Sequence, residues 1–306
     1  MDNLYPYLRE QELDSIRQSI KSDEVYRQRL GVLYDRINED ITRDIVNDIE
    51  KFAYKNNLSM TEASKLVSKV DVKNYDNKVK EYIKNKDFSS IANRELSKYN
   101  VTLRTNRLEL LQARINLSTV ELANEEDKML REHLFKDIAK EYERQAGILG
   151  ITVPSPERLS KMFRAVILTD VSGITFSHRI WANQAELRDE INNTIRRVII
   201  RGENPRKAGR DLRKYVKDYM ENKKYNADRL AITESARGQI KVQELTFTEY
   251  DIGEYMYIAE TDDRTCAVCA NMDGMVYKTR DLLMGVNAPP MHPLCRCSIA
   301  GHIERN

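Results

Sequence analysis

Apolar residues recur at intervals of three and four through two long stretches in the first half of the chain. The first stripe runs through Leu30, Leu33, Ile37, Ile41, Ile45, Ile49 and Phe52. The second runs through Leu108, Leu111, Ile115, Leu122, Met129, Leu134, Ile138 and Tyr142. Because residues three and four apart share a helix face, each stripe predicts a long amphipathic helix. Two such helices bury their stripes most simply against each other, which predicts an elongated antiparallel helical bundle.

Glycine and proline divide the chain near residue 150. Residues 1–150 contain one proline and three glycines, whereas the rest of the chain contains six prolines and eight glycines. Gly147 and Gly150 can end the second long helix, and Pro154 and Pro156 keep the following backbone extended. We therefore predict an N-terminal helical domain over 1–150 and a second domain over 151–306.

The second half is predicted to be helical first and mixed afterwards. A helix is expected to begin at Pro156 or Glu157, and further helical patterns cover about 181–201, 204–220 and 226–250. The segment "EYMYIAE" then alternates aromatic and polar residues, which is typical of a strand. The predicted fold class is mainly α: an elongated N-terminal bundle, helices across 157–250, and a smaller α+β tail over 251–306.

Composition restricts the functions that remain open. The net charge is only +2, from 50 basic and 48 acidic residues, so any surface that binds nucleic acid must be local. No apolar run approaches the roughly 18 residues that a membrane span needs. The first residues are polar and lack the apolar core of an export signal. We expect a chain made in the cytoplasm, with no membrane span.

All four cysteines lie in the tail, between residues 266 and 297. A Cys-x2-Cys pair is the usual half-site for tetrahedral zinc. In "HPLCRC", Pro293 favours His292 with Cys295 as the second half, whereas a strand-like "CRC" would place Cys295 and Cys297 on one face. The spacing predicts a structural zinc site and leaves open which four of five candidates bind: Cys266, Cys269, His292, Cys295 and Cys297.

Other fates of the cysteines remain as alternatives. Two disulfides can form in a particle that leaves the cell, and four unliganded thiols can simply be buried; a reducing cytoplasm favours metal over disulfides. A catalytic zinc would need an open position and a general base. Asp262, Asp263 and Asp273 are close in sequence, but no HExxH or deaminase pattern accompanies them. A structural site is therefore favoured.

One stretch of the second half is strongly basic. On a helix, Arg206, Arg210, Arg213 and Lys217 fall on one side, which can follow a phosphate backbone. No base-reading motif is present, so binding to DNA would be independent of sequence. A solvated surface and an acidic protein partner are the alternatives. The predicted basic face consists of Arg206, Lys207, Arg210, Arg213, Lys214 and Lys217.

The remaining chemistry-bearing residues are predicted to be structural. Glu234 lies one helical turn from Arg237, which indicates an ion pair or a cap rather than catalysis. Arg264 and Arg296 flank the cysteines and are expected to hold carbonyls or carboxylates, such as those of Asp262 and Glu234, together. His133 and His178 stand alone in the sequence and are interpreted as ordinary.

Three segments carry a family resemblance. "TESARGQIKVQE", "AETDDRTCAVCANMDGMVY" and "GVNAPPMHPLCRCSI" follow one another in the second half. Together they resemble the C-terminal signature of tailed-phage head-morphogenesis proteins, the minor head proteins similar to the F protein of phage Mu. The shared order is Asp-Arg-x-Cys-x2-Cys at 263–269, Asp-Gly at 273–274, and Pro-Pro-x-His-Pro-x-Cys-Arg-Cys at 289–297.

The resemblance implies a minor capsid protein of a tailed bacteriophage, present inside the head near the portal. Its implied partners are the portal protein, the scaffolding or major capsid protein, and double-stranded DNA without sequence specificity. We expect no enzymatic activity. A zinc-dependent nuclease or nucleotide-modifying enzyme packaged in the head is the alternative, and a scaffolding component without DNA contact is a third interpretation.

Overall fold

The computed structural model describes residues 4–45, 107–150, 152, 155–167, 175–201, 205–260, 262 and 265–302. Its longer helices are α1 (Leu4–Ile45), α2 (Arg107–Leu149), α3 (Pro156–Ile167), α4 (Phe176–Arg201) and α5 (Pro205–Glu249). The tail adds β1 (Glu254–Ile258), α6 (Ala267–Met272), β2 (Val276–Lys278), a 3-10 turn (Thr279–Asp281) and β3 (Ser298–His302). The predicted fold class, mainly helical with a small C-terminal α+β region that carries the cysteines, is confirmed.

The chain forms two compact units, both discontinuous in sequence. Unit 1 contains Met1–Arg29, Met129–Phe176 and Asn226–Asn306, and unit 2 contains Leu30–Lys128 and Ser177–Tyr225. The boundary predicted near residue 150 falls inside a segment of unit 1. The division into domains over 1–150 and 151–306 stays a prediction.

A three-stranded antiparallel sheet organises unit 1. The strand order is β2–β1–β3, with Tyr255 opposite Tyr277 on one side and Gly301 on the other. Successive strand residues point to opposite faces, so Tyr255 and Tyr257 share one face and Met256 and Ile258 the other. The tyrosine face packs on Phe247, Ile252 and Ile299 near its centre and on the cysteines beside it.

The N-terminal part of α1 covers the opposite face of this sheet. Ile16 forms a buried cluster with Met256, Ile258 and Ala300, and Leu8, Leu13 and Ile20 pack against that cluster. Ion pairs flank it, with Arg9 on Asp273 at 2.7 Å and Arg17 on Glu260 at 3.0 Å. Helix α1 is therefore part of the core of the C-terminal sheet, which the sequence did not predict.

A buried polar network also ties α1 into unit 1. Glu12 is 2% exposed, and its carboxylate accepts hydrogen bonds from Arg144 (2.9 Å), Ser298 (2.7 Å) and Gln243 (3.2 Å). Burial raises the pKa of Glu12 to about 7, although Arg144 opposes the shift. The network joins α1, α2, α5 and β3 at one point.

Unit 2 contains the middle of the predicted helical pair. Leu30, Leu33, Ile37 and Ile41 are buried, as are Ile115 and Leu122. Tyr34 donates a hydrogen bond to Glu126 (2.8 Å) and Arg36 pairs with Glu121 (3.0 Å), so α1 and α2 run antiparallel there. The side chains of Ile45, Ile49, Phe52, Leu108 and Leu111 lie outside the described residues.

Two predicted helix boundaries in the second half were wrong. The separate helices at 204–220 and 226–250 are one helix, α5, over Pro205–Glu249. The intervening "ENKKY" contains neither glycine nor proline. Buried Met220 and Ala227 continue one helix face across it, so nothing interrupts the helical hydrogen bonds. The helix predicted over 181–201 begins earlier, at Phe176. Two other boundaries are confirmed: α3 begins at Pro156, and α2 ends before Gly150, whose φ of 67° stops a helix.

Candidate functional site

The first half of the cysteine site is built by the short helix α6. Cys266 is its N-cap residue, with an extended backbone, and its sulfur accepts the N–H of Cys269 at 3.4 Å. This turn brings the two sulfurs to the same side of the helix start. Cys269 is 1% exposed and packs against Tyr257 of β1.

The second half comes from the turn before β3. The N–H of Cys295 donates to the carbonyl of His292 at 3.1 Å, and Leu294 between them has a left-handed φ of 67°. The Nδ1 atom of His292 lies 2.8 Å from the carbonyl oxygen of Pro293. A carbonyl can only accept, so Nδ1 carries the proton and the lone pair of Nε2 faces the sulfurs. An imidazole oriented in this way is typical of a metal ligand.

The distances between these atoms are those of a tetrahedral metal site. Cys266 Sγ lies 3.2 Å and Cys269 Sγ 3.5 Å from Nε2 of His292, and Cys269 Sγ lies 3.8 Å from Cys295 Sγ. Sulfur and nitrogen ligands at zinc distances and tetrahedral angles are about 3.5 Å apart, and two sulfurs are about 3.8 Å apart. We call the five candidate ligands, Cys266, Cys269, His292, Cys295 and Cys297, the thiolate centre.

The five candidates fall into two overlapping groups. The ligand atoms of Cys266, Cys269 and His292 lie within 4.8 Å of one another, and so do those of Cys269, Cys295 and Cys297. Cys269 belongs to both groups. All four cysteines are free thiols in the structure. Five candidates still exceed the four positions of a closed tetrahedral site, and which four bind metal stays a prediction.

The thiols perturb one another strongly. A hydrogen bond from the Cys297 side chain lowers the pKa of Cys295 to about 5, and the same interaction raises the pKa of Cys297. Burial raises the pKa of Cys269 to about 12. Negative charge is thus confined to part of the centre, because adjacent buried thiolates repel one another. A divalent cation would supply the charge that allows further thiols to ionise.

The carboxylates near the thiolate centre have structural partners. Asp273 binds both terminal nitrogens of Arg9 and accepts the N–H of Ala259 at 2.8 Å. Asp262 accepts a hydrogen bond from Thr265. Asp263 and Arg264 lie outside the described residues. Glu234 pairs with Arg237 at 3.1 Å, which confirms the predicted ion pair.

Two predictions about single residues were wrong. Arg296 faces Asp23 of α1 at 3.7 Å rather than Glu234, because α1 occupies a place beside the tail that the sequence did not indicate. His133 is not alone: its Nε2 lies 3.4 Å from both Asp23 and Asp137. The i,i+4 spacing of His133 and Asp137 on α2 was the signal available in the sequence, whereas Asp23 comes from a different helix.

Most of the predicted basic face is exposed on the first half of α5. Lys207, Arg210, Lys214 and Lys217 are exposed and Arg213 is half-buried, while the side chain of Arg206 lies outside the described residues. The opposite side of the helix is buried through Leu212, Val216 and Tyr219. The exposed Asp211 and Asp218 interrupt the positive charge. The assignment of this face to DNA stays a prediction.

Within the part of the chain that the structure describes, no helix is long and apolar enough to cross a membrane. In comparison with known protein families, residues 189–300 match the family model described as Phage Mu protein F like protein. No curated protein and no solved structure matches the chain. The matched segment contains α5, the first two strands and every residue of the thiolate centre. Over residues 189–300, the chain is similar to the phage Mu F-like head-morphogenesis family, as its motifs predicted.

Proposed function

We propose that this protein is a head-morphogenesis protein of a tailed bacteriophage, a minor capsid protein of the virion without enzymatic activity. The observation that carries the proposal is the family match over residues 189–300. Its proposed location is the head interior near the portal, with the portal, scaffolding or major capsid protein as partner.

The proposed role of the thiolate centre is structural, with zinc as the metal. Thiolates and imidazole suit zinc, and three cysteines with one histidine form a closed site. The separations favour Cys266, Cys269, His292 and Cys295 as the four ligands, with Cys297 as a buried neighbour. The ion would join α6 to the turn that leads into β3.

A closed site gives little support to the alternative of a zinc-dependent nuclease. Four protein ligands leave no position for a water molecule, which a hydrolytic zinc requires. The nearby Asp273 is held by Arg9 at 2.7 Å and is therefore poorly placed as a general base. We also propose that the basic face binds packaged DNA by contacting its phosphates.

Assembly of heads from purified components tests the proposal. The full chain is produced with the major capsid, scaffolding and portal proteins of the same phage, and its copies per head are counted by quantitative mass spectrometry. We expect a small number of copies in heads that contain the portal and fewer in heads assembled without it. Heads that form normally and contain none of the protein would contradict the assignment.

Two variants separate the role of the tail from that of the rest of the chain. Cys266→Ser with Cys269→Ser should reduce incorporation, because it removes the Cys-x2-Cys half of the thiolate centre. Cys297→Ser should be incorporated like the wild type, since four ligands remain. Equal incorporation of all three proteins would show that the tail does not contribute to docking.

A further inference from the structure

A second cluster of metal-ligating side chains lies in unit 1, outside the segment that matches the family model. Asp23 is on α1, and His133 and Asp137 are one turn apart on α2. We propose that Asp23, His133 and Asp137 form a second metal site, for a divalent transition-metal ion bound through nitrogen and oxygen. We call these three residues the carboxylate–histidine cluster. The proposal does not depend on the assignment to phage heads.

The separations within the cluster fit metal ligands better than hydrogen bonds. Nε2 of His133 lies 3.4 Å from Oδ1 of Asp23 and 3.4 Å from Oδ2 of Asp137. A good N–H···O hydrogen bond is about 2.7–3.2 Å long, and one N–H points in one direction only. An imidazole nitrogen and a carboxylate oxygen on one tetrahedral ion, each at about 2.0–2.1 Å, are about 3.4 Å apart. All three ligand atoms lie within 4.8 Å of one another.

Neighbouring side chains fix the orientation of the ligands. Ser22 donates a hydrogen bond to Oδ1 of Asp137 at 3.2 Å, and Ser235 donates to Oδ2. The ring of Tyr26 stacks on the imidazole of His133, with 4.7 Å between centroids. Such outer contacts hold ligands in place at metal sites and are a requirement for precise coordination.

The charge around the cluster also favours a bound cation. The side chains of Asp23 and His133 are only 5% and 6% exposed, so two carboxylates meet where water cannot screen them. Arg296, 3.7 Å from Asp23, offsets part of this charge, and Arg27 is paired with Asp228 at 3.0 Å.

A small polar cavity borders one of the three proposed ligands, Asp137, but is not lined by Asp23 or His133. It has a volume of about 20 Å³ and borders Asp137, Ser22 and Ser235, and every residue that lines it is polar. A cavity of this size and polarity holds about one water molecule. Lys140 and Arg144 also line it, but Arg144 is already bound to Glu12 and Glu141. Three protein ligands and one water would complete a tetrahedral set.

The two sites of unit 1 differ in the metals that they should select. Soft thiolates select zinc, whereas carboxylate ligands also suit Mn²⁺. The full chain is therefore loaded with one equivalent of zinc, which the thiolate centre takes first, and is then titrated with Mn²⁺ to probe the carboxylate–histidine cluster. Binding is followed by calorimetry and by loss of the electron paramagnetic resonance signal of free Mn²⁺.

We expect about one Mn²⁺ per chain and at least a tenfold weaker affinity in His133→Ala and in Asp137→Asn. His178→Ala on α4 is the matched histidine control, and Cys266→Ser is the control for the thiolate centre; both should bind Mn²⁺ like the wild type. Failure of the wild type to bind Mn²⁺ or a second zinc would overturn the proposal. So would equal binding by all four variants, which would indicate adventitious sites only.

A second measurement covers variants that fold poorly. A ligand that binds only the folded state raises Tm with its concentration. Mn²⁺ should therefore raise the Tm of the wild type and of His178→Ala, each carrying one equivalent of zinc, but not that of Asp137→Asn. A wild-type Tm that is unchanged by Mn²⁺ and varies only with pH would identify the cluster as a proton-binding ion pair and overturn the metal site.

Discussion

The thiolate centre and the carboxylate–histidine cluster lie in the same unit, but they are assembled in opposite ways. The candidate ligands of the first are all between residues 266 and 297, placed by α6 and by the turn at His292–Cys295. The second joins Asp23 to His133 across 110 residues and depends on the packing of α1 on α2. The first lies in a small buried cluster with Tyr257, Ala259 and Met272, whereas the second lies between long helices with buried stripes.

This difference predicts different responses to the loss of metal. Ligands held by local turns need the ion to stay together, because the turns bury little surface. Ligands held by packed helices stay together without it, because the helices are stabilised by their own cores. Residues 266–297 should therefore loosen most without zinc, and the helices of unit 1 should lose little.

Removal of zinc from the thiolate centre should have the largest effect. Zinc affinity in small metal sites is folding free energy, on the order of 10 kcal/mol in isolated fingers. Cys266→Ser with Cys269→Ser should bind about one zinc per chain fewer than the wild type. In hydrogen exchange, the amides of β2 and β3 should lose protection while those of α2 keep it. Stoichiometric zinc in the double variant would refute this site.

Single ligand variants sharpen the same prediction. His292→Ala should lose zinc, whereas Cys297→Ser should retain it, if the four ligands are those favoured by the interatomic distances. Retention by His292→Ala and loss by Cys297→Ser would instead identify a four-cysteine site.

Loss of one partner in the Glu12 network should have the next largest effect. Arg144→Met leaves two buried carboxylates, Glu12 at 2% and Glu141 at 4% exposure, without their cation. Breaking a buried pair in this way costs about 3–5 kcal/mol of unfolding free energy. Glu12→Gln should cost less, because the pKa of Glu12 is already raised to about 7 and its charged form is only weakly favoured. Chemical denaturation with zinc present measures both.

The pH dependence of unit 2 should be controlled by Glu126. Burial raises the pKa of this carboxyl from 4.5 to about 7. The folded state therefore holds the proton more tightly than the unfolded state. Stability from this group is full below pH 4.5 and is lost as pH rises towards 7, by about 3 kcal/mol in total.

Glu126→Gln keeps the shape of the side chain and removes this titration. Relative to the wild type, its Tm should be higher above pH 7, and the difference should shrink as pH falls to about 5. The difference between the two proteins cancels the effects of Glu12 and of zinc release. A constant Tm difference across this range would show that Glu126 titrates normally.

Substitution on the basic face should have the smallest effect on stability, within about 0.5 kcal/mol, because exposed charges contribute little. Four phosphate contacts would give a slope of log affinity against log salt of roughly −3 to −4. Glutamine at Lys207, Arg210, Lys214 and Lys217 should flatten this slope for unrelated DNA sequences alike. Lys136→Gln with Lys140→Gln on α2 is the control. An unchanged slope in the fourfold variant would show that the basic face is a solvated surface that does not bind DNA.

The sequence predicted what depends on local pattern. The stripes at Leu30–Ile41, the helix start at Pro156, the strand at β1 and the Cys-x2-Cys half-site all follow from the spacing of neighbouring residues. The packing of α1 on the sheet could not be predicted in this way. Nothing in a single sequence indicates that Ile16 and Met256 are in contact. The same holds for Asp23 and His133, and for the partner of Arg296. Long-range pairs depend on which helix faces pack together. The periodicity of apolar residues shows the buried face of each helix but not the helix that it packs against.

The contact between α1 and β3 also has a consequence for synthesis. Glu12 and Ser298 are separated by 286 residues, and Ile16 contacts Ala300 on the face of the sheet that α1 covers. A ribosome releases residue 12 long before residue 298, so the first helix waits for its partner through almost the whole of translation. Closing so long a loop is slow, and the apolar side of α1 is unprotected meanwhile. A chaperone acting on the nascent chain would find its substrate in residues 8–20.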